Sequence, residues 1–341
     1  MKKILAPKSS LLLAALLPAM AATGADGATA MFAEKTIPNA TVPRTAFQIR
    51  DPFVLPDEGV YYLYESKPWS GGKCVFVRRS TDLENWTEKQ QVMRVSDDLP
   101  VTKIWAPEVH KHNGTYYLLV TITLEKGSYP VATLAEGREK FIEPRGTWVF
   151  KSEKPTGPFA PVKNGPVPPQ EWMTLDGTLY VEDGHPYMVF CHEWCQTKDG
   201  RMCCAPLAPD LASFTAKPTT MFCATEAMAG AGVITDGPYF HRSQKNDALY
   251  MIWSNTLTRN GKSDYCVFIR KSENGKLSGP WSKDTLLFGE NGGHGMIFSA
   301  FDGRLMLALH RPNDSPDERM MLFEVEDTGE TLHIRSSSQE H

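Results

Sequence analysis

Short apolar and aromatic runs recur along the chain, each led in by a turn. Five share one texture: Tyr61-Tyr62-Leu63-Tyr64-Glu65-Ser66, Tyr116-Tyr117-Leu118-Leu119-Val120-Thr121, Tyr187-Met188-Val189-Phe190-Cys191-His192, Leu249-Tyr250-Met251-Ile252-Trp253-Ser254 and Arg304-Leu305-Met306-Leu307-Ala308-Leu309-His310. They are brief and rich in β-branched and aromatic residues, which predicts strands. The turns before them are Asp57-Glu58-Gly59, His112-Asn113-Gly114, Glu182-Asp183-Gly184, Lys245-Asn246-Asp247 and Phe301-Asp302-Gly303. Asn-Gly and Asp-Gly steps favour the positive φ angles of tight hairpins.

The runs recur roughly every 60 residues, so the chain reads as repeats of one strand-rich unit. A further strand usually follows each run, for example Cys74 to Arg79, Thr147 to Lys151, Cys266 to Arg270 and Met320 to Val325. Outer strands then follow Asn85-Trp86, Pro158-Phe159 and Pro280-Trp281. Four strands per unit and five units predict an all-β fold, a five-bladed β-propeller with four-stranded antiparallel blades. Closure supplies the physical logic. One small sheet leaves both faces wet, whereas blades around an axis cover one another and expose only short edges. A pair of β-sandwich domains is the rival fold, and it leaves unexplained a polar residue that returns in every unit.

That residue lies in a short motif at the start of each unit's first strand. The motifs are Ile49-Arg50-Asp51-Pro52, Trp105-Ala106-Pro107-Glu108, Thr174-Leu175-Asp176-Gly177, Thr235-Asp236-Gly237-Pro238 and Gly293-His294-Gly295-Met296. First strands line the axis of a propeller, so Asp51, Glu108, Asp176, Asp236 and His294 are expected to meet at one mouth of the channel. An Asp before Pro or Gly is also a common turn former, but recurrence in five units argues for more. Carboxylates gathered in one pocket drive their pKa values apart. Glycosidic hydrolysis uses such a division, with a neutral acid on the leaving oxygen and a charged base on water.

Together the Arg50-Asp51-Pro52, Trp105-Ala106-Pro107-Glu108, Asp176, Thr235-Asp236-Gly237-Pro238 and Gly293-His294-Gly295 motifs resemble glycoside hydrolase family 43 over residues 45–335. The resemblance implies an inverting hydrolase on a five-bladed propeller. It makes Asp51 the general base and Asp176 the carboxylate that orients the acid and raises its pKa. The family's acid is a Glu in Glu-Gly-Pro; here the matching position is Asp236, one methylene shorter. Glu193 is the alternative acid, because it ends the strand after the Asp176 segment, and His192-Glu193-Trp194 together offer acid, sugar contact and stacking surface. Trp105 and Trp253 lie near pocket ends, where an indole stacks on a sugar or packs between blades. His294 resembles an axial histidine that helps hold calcium in some members; otherwise it bonds water or Glu108. Arg311 either donates to sugar hydroxyls or serves the surface.

The resemblance carries the substrate class: oligosaccharide or polysaccharide, with α-L-arabinofuranosidase first and β-xylosidase or β-galactofuranosidase behind. A sugar-binding propeller without catalysis is the reading from another class. Hydrolysis needs no organic cofactor, and the only metal expectation is calcium near the axis. A formal net charge of -4 offers no basic face for nucleic acid. Lys2, Lys3 and Lys8 precede the apolar run Leu11 to Leu17, and Ala19-Met20-Ala21 is a small-x-small cleavage site. Residues 1–21 therefore read as a signal peptide and 22–44 as a lead-in, which predicts export to the periplasm or beyond. No later stretch is long and apolar enough for a membrane span. Seven cysteines leave at least one thiol unpaired in a monomer, with the pairing of the others open.

Overall fold

The computed structural model describes residue 37 and residues 39–66, 72–132 and 134–335. The expected signal peptide, residues 1–21, lies outside the described residues, as does most of the lead-in. Five four-stranded antiparallel sheets follow one another along the chain. Blade 1 contains Phe53–Asp57, Val60–Ser66, Cys74–Ser80 and Gln90–Arg94; blade 2 contains Val101–His112, Thr115–Leu124, Arg145–Ser152 and Ala160–Pro161. Blade 3 contains Thr174–Glu182, His185–His192, Arg201–Pro206 and Thr219–Cys223. Blade 4 contains Asp236–Arg242, Leu249–Arg259, Lys262–Lys271 and Thr285–Phe288, and blade 5 contains Gly293–Ser299, Leu305–Arg311, Arg319–Asp327 and Leu332–Ile334. The chain is thus an all-β five-bladed β-propeller. Among the described residues no helix is long and apolar enough to cross a membrane.

The second strand of each blade explains why the apolar runs are nearly continuous. Side chains alternate across a strand, and here both faces are covered. Leu118, Val120 and Ile122 join the core shared with blades 1 and 5, while Tyr117 and Leu119 join the core shared with blade 3. Met188 and Phe190 face blade 2, whereas Val189 and Cys191 face blade 4. Met251 and Trp253 turn to blade 3, Tyr250 and Ile252 to blade 5. Leu307 and Leu309 face blade 4, and Met306 and Ala308 face blade 1, which closes the cycle.

The first three hairpins use the expected turn chemistry. Glu58-Gly59, Asn113-Gly114 and Asp183-Gly184 all have φ > 0 at both residues (47° and 81°, 48° and 78°, 50° and 78°), the conformation that matches the twist of adjoining strands. Each blade takes its four strands from one stretch of chain, so side chains and a backbone contact tie blade 1 to blade 5. The Ile49 N–H donates to the Glu318 carbonyl at 3.2 Å. Arg50 donates to the Glu318 carboxylate at 3.1 Å and to Asn313 Oδ1 at 2.6 Å, and Gln48 donates to Glu318 at 2.8 Å. Glu318 is fully buried, so these charge-assisted bonds converge on a carboxylate shielded from water.

Candidate active site

The five motifs share one backbone feature, a left-handed residue at the same place. Four consecutive residues recur in each blade: Arg50-Asp51-Pro52-Phe53, Trp105-Ala106-Pro107-Glu108, Leu175-Asp176-Gly177-Thr178, Asp236-Gly237-Pro238-Tyr239 and Gly293-His294-Gly295-Met296. The second residue of each has φ near +50°: Asp51 52°, Ala106 46°, Asp176 52°, Gly237 49°, His294 48°. In blades 2 to 5 a β-bulge spans the four residues. A bulge bends the strand and re-aims a side chain, and here it turns successive side chains to the channel mouth. Left-handed backbone at non-glycine residues persists only where surroundings fix it.

Neighbouring blades provide that fixation. The residue paired with the first position of the motif is Thr121, Cys191, Ser254 or His310 in blades 2 to 5. Three of these side chains accept the N–H of the left-handed residue in the next blade. Asp176 N–H donates to Thr121 Oγ1 at 2.8 Å, His294 N–H to Ser254 Oγ at 2.8 Å, and Asp51 N–H to His310 Nδ1 at 3.2 Å. The fourth interface differs. Cys191 holds the corresponding place, and the Gly237 N–H donates to Asp176 Oδ2 at 3.1 Å. Gly237 must lack a side chain, since a Cβ there would lie 2.9 Å from the His294 ring.

The groups so placed are electrostatically unequal. Burial pushes the Asp51 carboxyl up, but His294, Arg50 and His310 outweigh it and hold Asp51 below the usual carboxylate value. Arg50 is the permanent charge, 3.9 Å away. Burial lowers His310 to about 4; its Nε2–H points to Asn313 Oδ1 at 3.0 Å while Nδ1 accepts from Asp51. His294 Nδ1 lies 3.3 Å from Asp51 and 3.7 Å from Asp176. Asp176 is driven well above the usual value by burial, then by Asp51, Glu108 and Glu193, against the donated Gly237 N–H. Asp236 is raised to about 8 by burial, then by Asp176 and Glu193; His294 and the Tyr265 hydroxyl, which donates to Oδ2 at 3.0 Å, oppose the rise. At neutral pH Asp51 is therefore charged and Asp236 mostly protonated.

These groups open into a pocket of about 270 Å³, near the lower end for small-molecule sites. Asp51, Asp176, Asp236, His294, Arg50 and Tyr265 line it. Trp105, Phe141, Arg145, Glu193, Trp194 and Cys195 line it as well. Arg145 donates to Glu193 at 3.1 Å and to the carbonyls of Glu143 and Phe141 at 3.2 Å each, and its guanidinium lies 5.3 Å from the centre of the Trp105 ring. Glu193 is buried, which raises its pKa; the charge and hydrogen bond of Arg145 oppose that rise. Phe141 meets Trp194 edge-on, with centroids 5.0 Å apart.

Asp51, Asp176, Asp236, Glu193, Trp105 and His294 thus come together as expected from their motifs. Four other expected substrate contacts do not line the pocket. Trp253 is fully buried between blades 3 and 4, and its indole N–H donates to Asp284 at 2.7 Å. Strand alternation directs it sideways rather than to the axis. His192 stacks on Trp172 at 4.2 Å and bonds Gln196 at 2.9 Å. Arg311 pairs with Glu290 at 3.1 Å and packs toward Phe288. Glu108 is the last residue of its motif, two beyond the left-handed Ala106, so it sits apart from the pocket lining and bonds His110 at 2.9 Å. Its charge still reaches Asp176.

Tyr265, His310, Arg145 and Phe141 were not foreseen. His310 carried a faint signal, because it ends a second-strand run as Thr121 and Ser254 do. Tyr265 and Arg145 lie on third strands, and their inward direction depends on neighbouring blades. All seven cysteines are free thiols. The calcium expectation for His294 meets a poor set of ligands. Its Nδ1 faces two carboxylates, and among the described residues no group of three or more His, Cys, Asp or Glu is arranged to hold a metal. Calcium takes six to eight oxygens, so a bound ion would draw most of its ligands from beyond the His294 imidazole.

Comparison with known proteins adds an independent line. The sequence model of the family described as Glycosyl hydrolases family 43 matches residues 40–334. An endo-arabinase structure from Bacteroides thetaiotaomicron is 30% identical, with a TM-score of 0.72, covering 84% of this chain and 98% of that one. An endo-1,4-beta-xylanase from the same organism is 20% identical, TM-score 0.65, covering 89% and 97%. An alpha-L-arabinofuranosidase from Lactobacillus brevis is 19% identical, TM-score 0.65, covering 83% and 92%. The last two show likeness of fold. A search of curated proteins found no match.

Proposed function

The chain belongs to glycosyl hydrolase family 43, and from that premise we propose that it is an inverting exo-acting α-L-arabinofuranosidase. The observation that carries this reading is the gathering of Asp51, Asp176 and Asp236 in one pocket with unequal surroundings, which hold Asp51 below the usual carboxylate value and raise Asp236 to about 8. Asp51 takes a proton from water as the oxygen attacks the anomeric carbon. Asp236 gives its proton to the glycosidic oxygen as that bond breaks. Asp176 holds the Asp236-Gly237 backbone by accepting the Gly237 N–H, which fixes the acid beside it. Direct attack by water inverts the anomeric centre. Glu193 is tied to Arg145 and is read as part of the sugar-binding wall.

The small pocket supports removal of terminal residues, and the aromatic wall of Trp105, Phe141 and Trp194 suits stacking on a sugar face. The 30% identical endo-arabinase supports arabinose as the sugar, with β-xylosidase and β-galactofuranosidase as the nearest alternatives. We further propose export, with residues 1–21 as the leader; N-terminal sequencing of the secreted protein should start at residue 22. The activity test is a panel of aryl glycosides with arabinan, xylan and galactan oligosaccharides, product anomers being read by NMR. Inverted arabinose is the expected product. Sugar binding without turnover across the panel supports a binding module instead. Asp51→Asn should remove at least 99% of turnover, in keeping with the large contribution of general base catalysis, and preserve the fold.

A further inference from the structure

We propose that Tyr265 is a positioning residue for the acid, and that its hydroxyl selects which oxygen of Asp236 carries the transferable proton. This inference rests on the reading of Asp236 as the acid. Tyr265 belongs to the third strand of blade 4, opposite Thr256, yet it reaches the first strand of its own blade and the start of blade 5. Its hydroxyl donates to Asp236 Oδ2 at 3.0 Å. Its ring stacks on His310, with centroids 5.7 Å apart and planes at 21°. Its carbonyl accepts the Gly292 N–H at 2.9 Å. The ring is therefore held against His310 and the backbone is tied to Gly292, while the tip of the side chain touches the acid.

The chemistry follows from the donor inventory. A phenol has one proton to give, and a neutral carboxyl has one oxygen that accepts and one that bears hydrogen. While Tyr265 donates to Oδ2, the proton of neutral Asp236 resides on Oδ1. Burial, together with Asp236, Asp51 and Asp176, drives the Tyr265 phenol well above its usual value, so it remains a donor throughout the working range. When the proton leaves, the same bond is strengthened by the new charge on Asp236. A short acid on a bulged strand thus gains a fixed orientation, which matters because small misplacements of a proton donor are costly.

Gly293 gives independent support from steric fit. It occupies the first place of the blade 5 motif, and a Cβ there would stand 2.4 Å from Tyr265 Cε1 and 2.5 Å from Cδ1. Gly293 is not among the residues with positive φ, so its backbone does not require glycine; the tyrosine ring does. The backbone there leaves space for this ring.

The experiment compares Tyr265→Phe and Gly293→Ala with the parent enzyme on aryl glycosides of good and poor leaving groups, across pH. Tyr265→Phe keeps the ring packing and loses only the hydroxyl. Expected are a loss in kcat of about tenfold on poor leaving groups, a smaller loss on good ones, an almost unchanged KM, and a basic limb that moves to higher pH because a bond favouring the ionised acid is gone. Gly293→Ala keeps the hydroxyl but displaces the ring, and should reproduce the leaving-group dependence. An equal loss on all substrates with an unmoved basic limb overturns the proposal. Asp236→Asn is run alongside. If its loss ignores the leaving group, the acid assignment itself fails and takes the proposal with it. If Asp236→Asn behaves as an acid variant and Tyr265→Phe leaves the pH profile in place, the proposal alone fails.

Discussion

Replacing Asp236 by Asn should make the folded protein more stable at neutral pH while slowing turnover, most of all on poor leaving groups. The cause is proton linkage. The Asp236 carboxyl rises from an ordinary value of 3.8 to about 8 on folding. Between those values the folded state keeps a proton that the unfolded chain has released. Stability from this group is then fully present below 3.8 and is lost as pH rises through 8, at about 1.4 kcal/mol per pH unit. At pH 7 the ideal cost is about 4 kcal/mol. The carboxyl faces a pocket open to water, and screening brings the expected cost to about 2 kcal/mol. Asn has the shape of the neutral acid, can still accept from Tyr265, and releases no proton on unfolding. The assay is urea unfolding of both proteins at pH 4 and pH 7, with midpoints and slopes compared. The two should nearly coincide at pH 4, and the variant should lead by about 2 kcal/mol at pH 7. Contributions from Asp51, Asp176 and Glu193 are common to both proteins and largely cancel. A stability difference that is the same at both pH values refutes the reasoning.

Three further outcomes follow from the same site. The profile of kcat/KM should fall on its basic side near pH 8, as Asp236 loses its proton, and on its acidic side below the ordinary carboxylate range, as Asp51 gains one; a basic limb near pH 6.5 would instead implicate a histidine. Arg145→Met strips the buried Glu193 of its partner and should cost about 3 kcal/mol in unfolding experiments, with part of that recovered when Glu193→Gln is added. Chelation followed by dialysis should leave turnover unchanged, since His294 Nδ1 is directed at Asp51 and Asp176; loss that calcium restores would contradict this.

Much of the architecture was legible in the chain because its physics is local and repeated. A strand covered on both faces must be apolar at nearly every position, and Tyr116 to Val120 or Leu305 to Leu309 announce that directly. Glu58-Gly59 and Asn113-Gly114 announce their turns, because few residues accept two successive positive φ angles. Periodic return of Asp51, Asp176, Asp236 and His294 was enough to bring them to one mouth, since a closed ring repeats its geometry with its sequence.

Only the assembled blades decided how those residues differ. The shared four-residue motif placed Asp51, Asp176 and His294 at its left-handed position, Asp236 one residue earlier and Glu108 two residues later. Glu108 consequently sits apart from the pocket lining. Trp253 had the composition of a sugar platform, but its place in the strand alternation sent it between blades. Tyr265, Arg145 and His310 gave little notice, because their partners come from segments far away in sequence or from neighbouring blades. Periodicity settles which face of a strand is buried, whereas the protonation of a carboxyl depends on every charge and dipole within a few ångströms, and those arrive only when distant segments meet.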